Sequence, residues 1–426
     1  MKQAVNPSAT WYEATTNRGG MRMPLRGTVK VDVCVIGGGL AGLTTALELS
    51  RRKKKVVLLE GKQLAWDASG RNGGFVSNGF AEVIENVQKR VGLDAARALY
   101  SLSRHGSEYV RREIASGDPT IKMGEGWIVA LRHRDSGDLK SYRDMMARDY
   151  GEDLEFLSAG QTRERLNSLR YFESISNPRA FHFHPLKYSL MLALEAEKSS
   201  ASLHENTQAL AVQKLGNEWQ VRCAEGEVVA QHVVHCVSSL DRTIHKASGR
   251  AVLPVATYVA VTEPLDQDGV RTAAAVADTR RAGNYYRLID EGRLLWGGRI
   301  TTRVSEPTRL AEEMKGDMLA TYPQLRNPRI DYSWAGLMGY ALHKMPLIGR
   351  DNEGQWFATA FGGHGMNTTA MAGQLLARAI ADGDDEYRRF APFAPLWAGG
   401  QLGRAGVQAY YWWMQFRDRI DEARAK

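Results

Sequence analysis

The stretch that most constrains this chain reads Val31-Asp32-Val33-Cys34-Val35-Ile36-Gly37-Gly38-Gly39-Leu40-Ala41-Gly42. Its apolar, β-branched run from Val31 to Ile36 predicts a strand buried on both faces. Leu43, Ala46, Leu47 and Leu49 then recur at helical spacing, and Val56-Val57-Leu58-Leu59 predicts a second strand ending at Glu60. Strand, helix and strand within about thirty residues make a βαβ unit, which calls for a parallel sheet. Gly37, Gly39 and Gly42 fit G-x-G-x-x-G between strand and helix. The first glycine permits the tight turn, the second lets backbone approach a diphosphate, and the third lets helix and strand pack closely. Leu40 and Ala41 open the helix, where unpaired N–H groups and the dipole favour negative charge. Glu60 is placed to accept hydrogen bonds from an adenosine ribose. The pattern predicts a dinucleotide site without separating NAD from FAD.

A second turn-rich segment follows directly: Ala68-Ser69-Gly70-Arg71-Asn72-Gly73-Gly74-Phe75. Small residues, Gly73 and Gly74 among them, leave backbone N–H groups accessible, while Ser69, Arg71 and Asn72 add donors beside the same diphosphate. A nicotinamide dehydrogenase would continue here with further βα repeats.

The chain has 426 residues, 43% of them hydrophobic and 24% charged, which suits a globular protein of two or three domains. No apolar run approaches the ~18–20 residues that cross a bilayer. No hydrophobic leader precedes Val31, so a soluble, cytoplasmic protein is expected. Cys34, Cys223 and Cys236 lack C-x-x-C spacing and predict neither a disulfide framework nor a zinc site. His182 and His184 share a strand face but have no carboxylate or cysteine partner nearby, so no metal is expected. The net charge of +8 raises the question of nucleic acid. Its densest run, Arg51 to Lys55, falls where a helix ends, and cations there complement the dipole. No aromatic residues interleave with basic ones as in RNA-binding motifs, so no nucleic-acid partner is expected.

The chain resembles the flavoprotein amine and amino-acid oxidase family that includes D-amino-acid oxidase, glycine oxidase and sarcosine oxidase. The resemblance rests on Trp11-Tyr12-Glu13-Ala14, the two glycine segments, His184-Pro185-Leu186-Lys187, Tyr285-Tyr286-Arg287-Leu288 and Arg293-Leu294-Leu295-Trp296-Gly297-Gly298. It continues through Pro323-Gln324-Leu325, Asp331-Tyr332-Ser333-Trp334-Ala335-Gly336, Met345-Pro346-Leu347-Ile348-Gly349-Arg350 and Gly363-His364-Gly365-Met366. It implies FAD as cofactor and an α/β (α+β) fold, in which a Rossmann-like FAD-binding domain is interleaved with an antiparallel-sheet substrate domain. The expected division is an N-terminal arm (1–30), FAD domain segments (31–90, 181–250 and 341–385), substrate domain segments (91–180 and 251–340) and a C-terminal helical tail (386–426). The resemblance assigns the adenine to backbone at Val212, in a meander of short strands after a helix at Leu186–Lys198. The segment His235-Cys236-Val237-Ser238 departs from the family in lacking a small-residue and glycine pair.

Near the C-terminus, Trp356 to Ala360 predicts a strand, Phe361 to Gly365 a glycine turn, and Met366 to Ala379 a helix. Helix-start N–H groups are presented a second time. In the family they face the flavin pyrimidine oxygen, and the matching positions are Gly365, Met366 and Asn367. Tyr285, Tyr286, Trp334 and His364 are the candidates to line the flavin face. Tyr285 and Tyr286 point to opposite sides of one strand, so at most one meets substrate.

Family members that oxidise α-amino acids place an arginine just after the W-x-G-L segment to clamp the carboxylate. Here Trp334-Ala335-Gly336-Leu337 runs on into Met338, Gly339 and Tyr340. The resemblance therefore implies oxidation of an amine C–N bond, of γ-glutamyl-polyamine or similar type, unless another basic residue such as Arg287 takes the clamp. The implied chemistry is hydride transfer to flavin N5, hydrolysis of the imine, and reoxidation by O2 with hydrogen peroxide as product. A dehydrogenase passing electrons to quinone is the alternative, and a flavin-containing module binding tRNA or protein a more distant one. In the tail, Tyr410-Tyr411-Trp412-Trp413, Phe416 and Ile420 predict an amphipathic helix docked on its own domain. A peripheral membrane contact is its alternative.

Overall fold

A computed structural model describes residues 10–118, 121, 124–133, 138–240, 242–265, 269–280 and 283–425. Its two sheets are each assembled from distant parts of the chain. The first has eight strands, ordered Leu347–Arg350, Trp356–Thr359, Gly226–His235, Gly27–Ile36, Val56–Leu59 and Ser202–His204. The last five of these run parallel. Ala211–Leu215 and Glu218–Arg222 form an antiparallel meander against Gly226–His235. The Rossmann-like sheet expected from the βαβ unit is thus present, and the short Val56–Leu59 strand is buried along its whole length.

Helix Leu40–Arg51 covers one face of this sheet, packed between Pro185–Lys198 and Gly365–Asp382. Close approach sets the last contact: a Cβ at Gly373 would lie 2.7 Å from Thr44 Cβ. Helix Leu93–Ser116 backs Gly365–Asp382 in turn, with Gly106 against the Asn367 carbonyl.

The second sheet has nine strands, ordered Ile330–Tyr340, Leu253–Pro264, Arg293–Thr301, Tyr285–Ile289, Ala275–Asp278, Gly124–Ala130, Ser174–His182 and Phe75–Val76, with Glu155–Leu157 beside Ser174–His182. It is antiparallel except where Ala275–Asp278 runs parallel to Gly124–Ala130. Phe75–Val76 pairs with Phe181–His182, so the loop after the second glycine segment leaves the first sheet and enters the second. One face of the second sheet joins the large core shared with the first; the other, with Tyr171, Tyr286, Trp296 and Tyr322, packs against helix Leu310–Thr321.

Candidate active site

At the end of the first strand, Gly37 has φ +110, and a Cβ there would lie 2.7 Å from the Cys236 carbonyl oxygen. A Cβ at Gly42 would lie 1.9 Å from the Gly37 carbonyl oxygen. Only glycine fits either place without moving backbone. At the helix start the Leu40 N–H donates to Ser69 Oγ over 2.9 Å, and Gly39 faces the same hydroxyl. Leu40 and Ala41 are buried. The Glu60 carboxylate accepts from the N–H groups of Gly38 (2.7 Å) and Lys62 (2.8 Å), and burial raises its pKa. Sequence spacing therefore brings the glycine turn, Glu60 and Ser69 together.

The second glycine segment is a brace between the two sheets. Ala68–Arg71 forms one short helical turn. The Arg71 carbonyl accepts from Trp334 Nε1 (2.9 Å), while Arg71 Nη1 donates to the Ala335 carbonyl (3.0 Å). Arg71 Nη2 is buried with no hydrogen-bond partner among the described residues. Trp334, expected at the flavin face, is fully buried and edge-on to Tyr12, and its indole N–H is held by the Arg71 carbonyl. Asp67 completes the brace by accepting from the Leu337 N–H, and burial pushes its carboxyl up to about 6.

Four expectations change here. Asn72 was expected to offer donors to a ligand, but its amide donates to the Ala68 and Ser69 carbonyls (2.9 and 3.0 Å) and accepts from the Gly74 N–H (2.7 Å). Arg287 was expected as a possible clamp. Its Nε donates to the Gly73 carbonyl and Nη2 to the Phe183 carbonyl, each over 2.8 Å, and Nη1 donates to His182 Nδ1 over 3.0 Å. A guanidinium so engaged has no fork left for a carboxylate. Tyr286 lies on the far face of its strand, stacked on Trp296 at 4.5 Å with its hydroxyl between those of Tyr171 and Tyr322. It belongs to the second core, as strand alternation requires of one tyrosine in the pair. Val212 lies inside the meander, paired with Val221. The residues that reach the second strand's end come earlier: the Thr207 N–H donates to the Glu60 carbonyl (2.7 Å), and Gln208 packs on Gly61.

Tyr285, on the near face, is packed against Gly73, where an added Cβ would lie 3.0 Å from its ring. From it a continuous aromatic wall runs to the third glycine segment. Tyr285 meets Phe75 at 5.5 Å, Phe75 meets Trp127 at 5.5 Å, and Trp127 stacks with His364 at 6.4 Å. Tyr340 closes the far side against Gly362 and Gly363. Phe75, Trp127 and Tyr340 escaped the sequence reading. Phe75 follows two glycines at a strand edge and Trp127 lies on an alternating strand, which were the available signals.

His364 Nε2 lies 3.1 Å from the Ser77 carbonyl, and burial lowers its pKa, so the imidazole is neutral at pH 7. It precedes helix Gly365–Asp382 without capping it. The N–H groups of Gly365, Met366 and Asn367 thus stand in an uncapped first turn, while the Asn367 side chain donates inward to the Gly79 and Ser103 carbonyls. His182 and His184 both carry structural bonds and are pushed down to about 3 by burial first, with nearby cations adding to it. No metal-holding cluster occurs among the described residues.

Two glycine-bearing helix starts, an acidic strand end and an aromatic wall between sheets define a dinucleotide-dependent oxidoreductase. The chain belongs to the FAD dependent oxidoreductase family, which matches residues 32–379. It is 31% identical to the gamma-glutamylputrescine oxidoreductase of Escherichia coli over 97% of this chain and 99% of that one. It is 30% identical to the probable oxidoreductase OrdL of Haemophilus influenzae over 96% of this chain and 97% of that one. Among solved structures, glycine oxidase from Bacillus cereus covers 84% of this chain and 96% of its own, with TM-score 0.68 and 21% identity. L-Proline dehydrogenase from P. horikoshii covers 85% and 98%, with TM-score 0.70 and 19% identity. The cofactor is FAD, and the cradle fits it: a Cβ at Gly37 or Gly42 would fill the turn, and both helix starts carry donors for anionic groups.

Proposed function

We propose that the enzyme oxidises the C–N bond of an amine bearing no free α-carboxylate beside that bond, of the γ-glutamyl-polyamine type, with O2 as final acceptor and hydrogen peroxide as product. The observation that carries this reading is the engagement of Arg287 by two carbonyls and a histidine, together with Met338-Gly339-Tyr340 where a clamp arginine would stand. The name of the Escherichia coli relative supports it.

Bound FAD supplies the two-electron acceptor. Gly37, Gly39, Leu40, Ala41 and Ser69 would hold its diphosphate, Glu60 the ribose, backbone near Thr207–Ala209 the adenine, and the N–H groups of Gly365, Met366 and Asn367 the pyrimidine edge. Negative charge gathering there would be stabilised by N–H groups already in place, with no reorganisation. Tyr285, Phe75, Trp127 and His364 form the wall that excludes water and orients the amine. The C–N bond becomes C=N, and water then splits the imine into a carbonyl compound and ammonia, or a shortened amine where the oxidised nitrogen is secondary.

No described side chain at the wall is poised to remove a proton near neutrality. Burial lowers the His364 pKa and so weakens it as a base, its Nε2–H is spent on the Ser77 carbonyl, and Tyr285 is pushed up to about 12 by burial. The amine must arrive unprotonated, so kcat/KM rises with pH toward the amine's own pKa. A step near pH 6 would instead report Asp67.

The test is anaerobic bleaching of the yellow protein by polyamines, γ-glutamylated amines, N-methyl amino acids and D-amino acids. Fast bleaching by γ-glutamylated amines is expected; bleaching by D-amino acids alone overturns the reading. Oxygen uptake against dye reduction decides the acceptor. In the same assay Tyr285→Ala slows bleaching by about tenfold or more through lost positioning. Tyr286→Phe leaves the rate unchanged and costs about 1–2 kcal/mol of stability, because it strips one hydroxyl from a buried trio.

A further inference from the structure

The C-terminal helix Gly400–Arg424 docks through a mixed face and leaves its larger apolar side chains outside. Val407 and Tyr411 pack on Leu253, Val255 and Ala398, and the rest of the protein-facing side is polar. Buried Gln408 accepts from Thr301 Oγ1 (2.7 Å) and the Thr302 N–H (2.8 Å), and Arg404 donates to the Thr302 carbonyl (2.8 Å). Buried Asp418 lies on the same side, and Glu422 accepts from Arg280 (2.9 Å) and Arg132 (3.4 Å). The side facing solvent carries Leu402, Tyr410, Trp412, Trp413 and Phe416, with relative exposures of 83%, 53%, 52%, 56% and 53%. Positions 402, 409, 413, 416 and 420 fall within an arc of about 60° on a helical wheel. Trp397, 68% exposed, extends the patch into the preceding turn. Monomeric soluble proteins rarely leave so much contiguous apolar surface uncovered.

The surroundings are cationic. Arg417, Arg419 and Arg424 are exposed beside the stripe, whereas Asp418, Asp421 and Glu422 are buried or half-buried. The Arg303 guanidinium lies over the Trp412 ring at 5.3 Å. Where the helix begins, a cavity of about 430 Å³ is lined by Arg242, Lys246, Arg250 and Trp397. A second copy of the chain meeting this face about a two-fold axis would bring the arginine fringe against itself. An anionic surface would be attracted to it, and indole and phenol rings suit the water–hydrocarbon boundary.

We propose that this face docks on an anionic phospholipid bilayer. The helix lies in the headgroup plane with Leu402, Trp413 and Phe416 toward the acyl chains, and its arginines and the basic cavity take lipid phosphates. The contact is peripheral: no helix among the described residues is long and apolar enough to cross a membrane.

The test is flotation of the FAD-loaded full chain with phosphatidylcholine vesicles, with and without phosphatidylglycerol, alongside sedimentation equilibrium without lipid. Recovery with the phosphatidylglycerol vesicles, reversed by high salt and accompanied by a blue shift of tryptophan emission, is expected. Trp413→Ser combined with Phe416→Ser weakens binding about a hundredfold. Arg417→Gln combined with Arg419→Gln weakens it about twentyfold. Both double variants keep wild-type flavin content and turnover of soluble amine, which shows that they are folded. Equal recovery on both vesicle types, or none on either, overturns the proposal. So does a dimer in the lipid-free run that the Trp413/Phe416 variant dissociates, which would assign the face to a second copy.

Discussion

Gly37→Ala is expected to yield a nearly colourless protein. Gly37 is held from two sides: its N–H donates to the Leu59 carbonyl over 2.8 Å, and its α-carbon faces the Cys236 carbonyl. An alanine Cβ at φ +110 costs about 1–2 kcal/mol in backbone strain alone. It would also lie 2.7 and 2.9 Å from the oxygen and carbon of that carbonyl. Cys236 cannot retreat cheaply, because its own N–H donates to the Ile36 carbonyl (2.8 Å) in the central strand pair. The turn must open, and that turn presents the backbone to the diphosphate. The ratio of flavin to protein absorbance after purification measures the loss, expected to exceed tenfold for about 2 kcal/mol of misplaced contacts. Gly20→Ala, where nothing lies within 4 Å of the new methyl, is the control that stays yellow.

Arg287→Met is expected to destabilise the holoenzyme by about 3–6 kcal/mol, since the Gly73 and Phe183 carbonyls and His182 Nδ1 would each lose a buried donor. Lysine does not rescue it, because one ammonium cannot reproduce the planar fork. Denaturant midpoints of loaded protein give the measurement. A raised KM with an unchanged midpoint would make Arg287 a substrate clamp after all.

The nucleotide end was readable from sequence because its geometry is local. A turn, a helix start and a strand end separated by about twenty residues fix one another through backbone alone. Period-two alternation likewise puts Tyr285 and Tyr286 on opposite faces of their strand. What stayed hidden depends on partners far along the chain. Nothing local to Arg287 says that its guanidinium meets Gly73 and Phe183, and nothing local to Val212 says how far the loop before it runs along Glu60. The tail was legible as an amphipathic helix. Which face turns inward was not, because Glu422 answers to Arg132 and Arg280, just past strands Gly124–Ala130 and Ala275–Asp278 of the second sheet.

The weave of the first sheet has a consequence for biosynthesis. Its central strand Gly27–Ile36 is flanked by Val56–Leu59 and by Gly226–His235, and the latter's outer neighbour is Trp356–Thr359. A nascent chain leaving the ribosome therefore carries an open strand edge until Gly226–His235 emerges, and gains the second helix start only after that. The flavin cradle therefore waits on a segment made long after the first glycine turn, and truncated products exposing that edge are the ones expected to clump.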